Sequence, residues 1–140
     1  MSFEVFVQSF RHGGPAGIPR RALRKVFGKH LSEPEPDFWK LRYDELNYCD
    51  LYLSFWSFHG DPGMVTGFTV HRPCPDPRLW DALMAILALG DVVLYYPGYG
   101  LPLVVRDSVA AHMPEDMVKS LGRPLVVTSG REILQRIQND

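Results

Sequence analysis

Three prolines fall within five residues at Pro73-Cys74-Pro75-Asp76-Pro77, and no other feature limits the fold of this chain as strongly. Proline brings no N–H to a sheet ladder and its ring blocks a helix interior. The run therefore ends whatever precedes it and admits a helix only from its last residues. Asp76 is a natural N-cap, and Pro77 suits the first helical turn, where its missing N–H has no partner to lose. Downstream, Leu79, Trp80, Leu83, Met84, Ile86 and Leu87 form an apolar face wide enough for a helix lying flat on a sheet and ending at Gly90. Upstream, residues 49–58 alternate, with Leu51, Leu53 and Phe55 on one face and Tyr52, Ser54 and Trp56 on the other. Asp61-Pro62-Gly63 is turn chemistry, and residues 64–71 return as the partner strand of a hairpin.

The remaining segments fit around this centre. Residues 3–10 are rich in β-branched and aromatic side chains; Phe3, Val5 and Val7 share one face and Phe6 takes the other, as in a strand near the middle of a sheet. Gly13-Gly14-Pro15-Ala16-Gly17 reads as a loop. A helix follows from Pro19, with Ala22, Leu23, Val26 and Phe27 inward, Gly28 as its stop, and Arg20, Arg21, Arg24 and Lys25 on the opposite face. Ser32-Glu33-Pro34-Glu35-Pro36-Asp37 reads as an irregular connection, and residues 38–43 as a short strand. Strands are expected at 91–96 and 103–106 around Pro97-Gly98-Tyr99-Gly100, and at 125–128. Asp107 and Pro114 each start a short helical segment, the second with Met117, Val118 and Leu121 inward and Gly122 as its stop. Ser129-Gly130-Arg131-Glu132 is a capping box for a terminal helix carrying Ile133, Leu134 and Ile137. Helices and strands mix without strict alternation. The expectation is a single α+β domain over residues 1–140, with a mixed or largely antiparallel sheet and helices packed on it. A chain of 140 residues that is 46% apolar suits one such core.

Charge and motifs narrow the function. The net charge of −1 removes whole-molecule attraction to nucleic acid or anionic lipid, no run approaches membrane-spanning length, and the start of the chain lacks a secretory plan. Two cysteines make no disulfide framework. A cytoplasmic protein with no membrane or nucleic-acid partner is the expectation. No phosphate-binding glycine pattern is present, and no cofactor is expected. His71-x-x-Cys74 is the nearest pair of soft ligands, but a zinc site needs three or four, usually in answering pairs. The ordinary account is a strand end followed by a buried thiol. A small hydrolase or metal-dependent enzyme using His71 and Cys74, with Asp76, is therefore the alternative, and a non-enzymatic binding protein the first reading.

Charge segregation supports that first reading. Arg11, Arg20, Arg21, Arg24, Lys25 and Lys29 precede His30 with no acid among them, whereas Glu33, Glu35, Asp37, Asp44, Glu45 and Asp50 follow against Lys40 and Arg42 alone. Either the blocks neutralise each other in the fold, or one is a docking surface. The acidic block also carries Phe38, Trp39, Tyr43 and Tyr48. Asp37, Trp39, Asp44 and Glu45, with Tyr99 at the Pro-Gly turn, form the expected partner-binding set: an aromatic anchor for affinity and carboxylates to steer a cationic protein surface. The basic helix face is a weaker candidate for nucleic acid.

Met1-Ser2-Phe3-Glu4-Val5-Phe6-Val7-Gln8, Arg72-Pro73-Cys74, Asp76-Pro77-Arg78-Leu79-Trp80 and Val93-Leu94-Tyr95-Tyr96-Pro97-Gly98 resemble segments of a group of small bacterial cytoplasmic proteins of similar length. Small bacterial α+β proteins of this type are often antidotes encoded beside toxins. By that analogy the resemblance implies an immunity protein that blocks a cognate toxin, and it carries over no catalytic residue.

Overall fold

In the computed structural model, which describes residues 3–54, 63–98 and 100–139, the first strand runs through the middle of the sheet. The chain order is β1 (Glu4–Arg11), β2 (Gly14–Pro15), β3 (Ile18–Pro19), α1 (Arg20–Phe27), β4 (Leu31–Glu35), β5 (Phe38–Arg42), β6 (Tyr48–Ser54), β7 (Met64–Val65), β8 (Gly67–His71), α2 (Pro77–Leu87), β9 (Val92–Tyr95), β10 (Leu103–Val104), α3 (Glu115–Leu121), β11 (Leu125–Val126) and α4 (Gly130–Gln138). Short 3-10 segments occupy Gly28–His30 and Asp107–His112. The large sheet is ordered β11-β10-β9-β1-β8-β6-β5-β4, with β2 folded back on β1. Its pairs are antiparallel except β10–β11, and β3 and β7 form a separate two-stranded ribbon. The fold is α+β with a mixed, mostly antiparallel sheet. Strands β8 and β9 both pair antiparallel with β1 and so run parallel to each other, with α2 as the crossover between them.

Alternation along β1 assigns the two faces. Val5 and Val7 point to the main core, where Leu51, Val70 and Leu94 of neighbouring strands meet Leu23 and Phe27 of α1, Leu83 and Ile86 of α2, and Ile133 of α4. The expectation that so apolar a helix as α2 packs on the sheet holds. Among the described residues, the opposite face is covered only at one end, where Phe10, Val93 and Val104 pack with Val109 and Met113 and the flanking Met117 and Val118 of α3. Over β8, β6 and β5 no described residue covers that face.

Three expectations change. The proline-broken segment is partly a strand: β4 pairs with β5 across an irregular register between Ser32 and Glu35. Pro34 is tolerated because β4 is the edge strand and one side of its backbone needs no partner. The glycine-rich stretch begins as a tight hairpin, with Arg11 opposite Gly14 and the two turn residues, His12 and Gly13, at φ 50° and 81°. Arg20 is not on the solvent face of α1 but buried, donating to the Pro36 carbonyl at 2.6 Å. The hairpin of β6 and β8 forms in the expected direction, from Asp50 opposite His71 to Ser54 opposite Gly67. Phe55, Trp56 and the Asp61-Pro62 turn lie outside the described residues.

Both sequence caps are present. Ser129 accepts from the Glu132 N–H at 3.1 Å, while the Glu132 carboxylate reaches back to the Thr128 N–H at 2.8 Å, one residue before the usual box. Asp76 caps α2 by accepting from the Arg78 N–H at 2.9 Å, and its other oxygen takes the Arg78 guanidinium at 2.7 Å. The Arg78 side chain foremost, with its backbone N–H, holds the Asp76 carboxyl below the usual aspartate range. A depressed folded value stabilises the protein above the ordinary aspartate range, and that stabilisation is lost as pH falls through the folded value. Asp76→Ala should cost about 1–2 kcal/mol at neutral pH by chemical denaturation, and the gap from wild type should shrink as pH drops below about 4.

Candidate functional site

Strand register lines up the outward side chains of the open face into rows. Lys40 lies opposite Asp50, Asp50 opposite His71, and His71 opposite Glu4, making one charged row across four strands. The next row runs Phe38, Tyr52, Thr69, Phe6, Tyr95. Antiparallel neighbours on one face stand close enough to touch, and here they do. The Phe38 and Tyr52 rings are 5.1 Å apart, and Phe6 and Tyr95 stack at 5.1 Å. Across the two rows, Lys40 lies 5.6 Å from the Phe38 ring and Tyr52 meets the His71 ring edge-on at 6.2 Å; within the charged row, His71 Nδ1 is 3.5 Å from Glu4. The Tyr95 hydroxyl donates to Gln8 at 3.2 Å, and burial pushes its pKa up.

At the Phe6–Tyr95 end the aromatic row opens into a cavity of about 360 Å³, bounded also by Gln8, Ser54, Gly67 and Pro114. Gly67 contributes no side chain to this wall, and Thr69 is the one short residue in the aromatic row, so the face has relief as well as apolar area. Tyr48 and Tyr52 are among its most exposed side chains, at 60% and 48%. Beyond them, the turn between β5 and β6 lifts Leu46 to 88% exposure.

The sequence-based site residues divide under this geometry. Asp37 is exposed in the turn between β4 and β5, and Asp44 and Glu45 are exposed in the turn at the other end of β5. Asp44 is committed to that turn: one carboxylate oxygen accepts from the Leu46 and Asn47 N–H groups, both at 2.9 Å. The Asn47 side chain first, then these backbone donors, lower its pKa. Trp39 is a correction. It is inaccessible to solvent, its ring on the core side of β5 with the guanidinium carbons of Arg20 and Arg24 over it at 5.9 and 5.5 Å. Alternation puts Trp39 on the opposite face from Phe38 and Lys40, so it cannot present a surface. Tyr99 lies outside the described residues.

The basic and acidic blocks meet. Arg24 donates to both oxygens of Glu33, at 2.9 Å from Nε and from Nη2. This pairing raises the Arg24 pKa and lowers that of Glu33. With Arg20 buried and Arg24 paired, Arg21 and Lys25 are what is left of the basic stripe expected on α1. His71 and Cys74 are also separated. His71 stands in the outer charged row, whereas Cys74 is buried in the core and its thiol neighbour is Cys49. No group of three metal-ligating side chains converges among the described residues. Two features were missed in the sequence: the aromatic row, whose members come from five strands, and the Cys49–Cys74 contact, which joins residues far apart in the chain.

Fold and face together define the class: an α+β domain that covers one side of its sheet with helices and, among the described residues, leaves half of the other side, aromatic and charged, uncovered. No protein-family model, curated protein or solved structure matches the chain. No helix of the described residues is long and apolar enough to cross a membrane.

Proposed function

We propose that this chain is a non-enzymatic protein-binding domain that docks a partner protein on the open half of its sheet. The carrying observation is the row Phe38, Tyr52, Thr69, Phe6, Tyr95, exposed at Tyr52 and half-buried elsewhere, beside the row Lys40, Asp50, His71, Glu4. Aromatic side chains with few rotatable bonds lose little entropy on docking and are over-represented at interface centres. The adjoining row sets one lysine against two carboxylates, which suits a mixed protein surface better than a polyanion. Acidic residues flank the face at both ends of β5, with Glu35 and Asp37 at one and Asp44 and Glu45 at the other. The partner's complementary chemistry is an apolar centre with a basic margin. Occluding a toxin's basic active cleft is the concrete form this takes, in keeping with the immunity-type resemblance of the sequence.

The test replaces Phe38 and Tyr52 together by alanine. Both project outward, so the fold should survive. Hot-spot residues typically each contribute 2 kcal/mol or more, so retention of the protein that co-purifies stoichiometrically from the host cell should fall by about 100-fold or more. Arg131→Ala, exposed on α4, should leave retention unchanged. Replacing Asp37, Asp44 and Glu45 by alanine should slow association at low salt while leaving dissociation little changed. Full retention by the Phe38/Tyr52 variant would show that the face is not the docking surface.

A further inference from the structure

Cys49 and Cys74 are separated in sequence by the hairpin of β6 and β8, yet the fold sets their thiols against each other at the core boundary. Cys49 points inward from β6, and Cys74 lies in the loop between β8 and α2. Both are reduced and nearly inaccessible, at 3% and 6% exposure. The Cys74 loop is held in place: the Trp80 indole N–H donates to the Cys74 carbonyl at 2.9 Å, and Arg72, two residues before, sits at a left-handed φ of 54°. Beside the two sulfurs lies the Tyr43 hydroxyl, nine-tenths buried and with no hydrogen-bond partner.

We propose that Cys49 and Cys74 form a reversible dithiol–disulfide modification site whose co-reactant is a low-molecular-weight disulfide of the glutathione type. Reaction begins when a local opening of the loop between β8 and α2 exposes Cys74, whose proton passes to solvent. The thiolate attacks one sulfur of the small disulfide, making a mixed disulfide and releasing one small thiolate. Cys49 then gives up its proton and attacks Sγ of Cys74, forming the intramolecular bond and expelling the second small thiolate. Two protein thiols become one cystine, one small disulfide becomes two thiols, and two electrons pass to the co-reactant. The assignment of roles follows the environments. Hydrogen bonding to Cys49 lowers the Cys74 pKa to about 7, which gives it thiolate character at neutral pH. Cys49 is shifted upward by the same contact and by burial, so it serves as the resolving thiol. The Tyr43 hydroxyl has an unused proton to donate toward a sulfur anion. This inference is independent of the docking face, which lies on the other side of the sheet.

The full-length reduced protein, freed of reductant, is incubated under native conditions with graded ratios of glutathione to glutathione disulfide. Free thiols are counted by Ellman's reagent and intact mass is recorded. Both thiols should disappear together, with a mass loss of about 2 Da, no retained glutathione, and a protein that stays single-chain on a non-reducing gel. Excess reduced glutathione should restore both thiols. In Cys49→Ala the mixed disulfide on Cys74 has no resolving thiol and should accumulate as a stable glutathione adduct. Retention of both thiols in glutathione disulfide alone, a persistent adduct on the wild-type protein, or a disulfide between two chains would each overturn the proposal.

Discussion

Replacing Trp39 by alanine should lower the unfolding free energy by about 3–5 kcal/mol, the range for removing a large buried aromatic side chain. The side chain is wholly excluded from solvent on the inner face of β5, and the guanidinium groups of Arg20 and Arg24 lie over its ring. Alanine leaves a void beneath α1 and removes the aromatic surface against which both arginines stand. Domains of this size have about 5–15 kcal/mol in total, so the variant should be marginal. Urea denaturation with the m-value checked is the measurement. Trp39→Phe should lose far less, about 1–2 kcal/mol, because most of the volume remains and the indole N–H makes no hydrogen bond that phenylalanine would forfeit. A change within about 0.5 kcal/mol for Trp39→Ala, as for an ordinary surface site, would contradict this burial.

The second large effect is Gly67→Ala. Gly67 opens β8 beside β1, and a Cβ there would run into the Val7 carbonyl oxygen and lie 2.9 Å from Gln8 Cα. These are backbone atoms of the central strand, so no side chain can swing aside. The clash is relieved only by moving β1 or β8, which disturbs the register that aligns the open face. A loss of about 2–3 kcal/mol is expected, at the upper end for overpacking, together with faster amide exchange along β1 and β8. Gly90→Ala is the comparison: its Cβ would meet nothing within 4 Å, so stability should be unchanged or rise by about 0.5 kcal/mol. If the two variants are equally stable, the close approach of β1 to Gly67 is wrong.

Much of the local structure was legible because its causes are local. Asp76-Pro77 and Ser129 through Glu132 start helices by hydrogen bonds within a few residues of themselves, and both caps are present. Alternation correctly sorted Leu51 and Leu53 from Tyr52 and Ser54, because a strand's period of two needs no knowledge of its partners. Pro34 was misjudged for a non-local reason: a proline is tolerated in a strand only at an edge, and a single segment does not reveal where its edge lies. Trp39 was misjudged in the same way. Its aromatic and acidic neighbours suggested a surface, and only the arrival of α1 over β5 decides which side of that strand is inside.

The order of residues along the chain determined where helices begin and end, which side chains of each strand share a face, and that helices would cover a mostly antiparallel sheet. Those outcomes follow from backbone sterics, capping and the 3.6 and 2.0 periodicities, all of short range. Tertiary structure alone decided that Phe38, Tyr52, Phe6 and Tyr95 fall in one row, that Arg24 neutralises Glu33, and that Cys49 meets Cys74 rather than Cys74 meeting His71. Each depends on strand register or packing between distant segments, where a shift of one residue turns a side chain to the other face of the sheet.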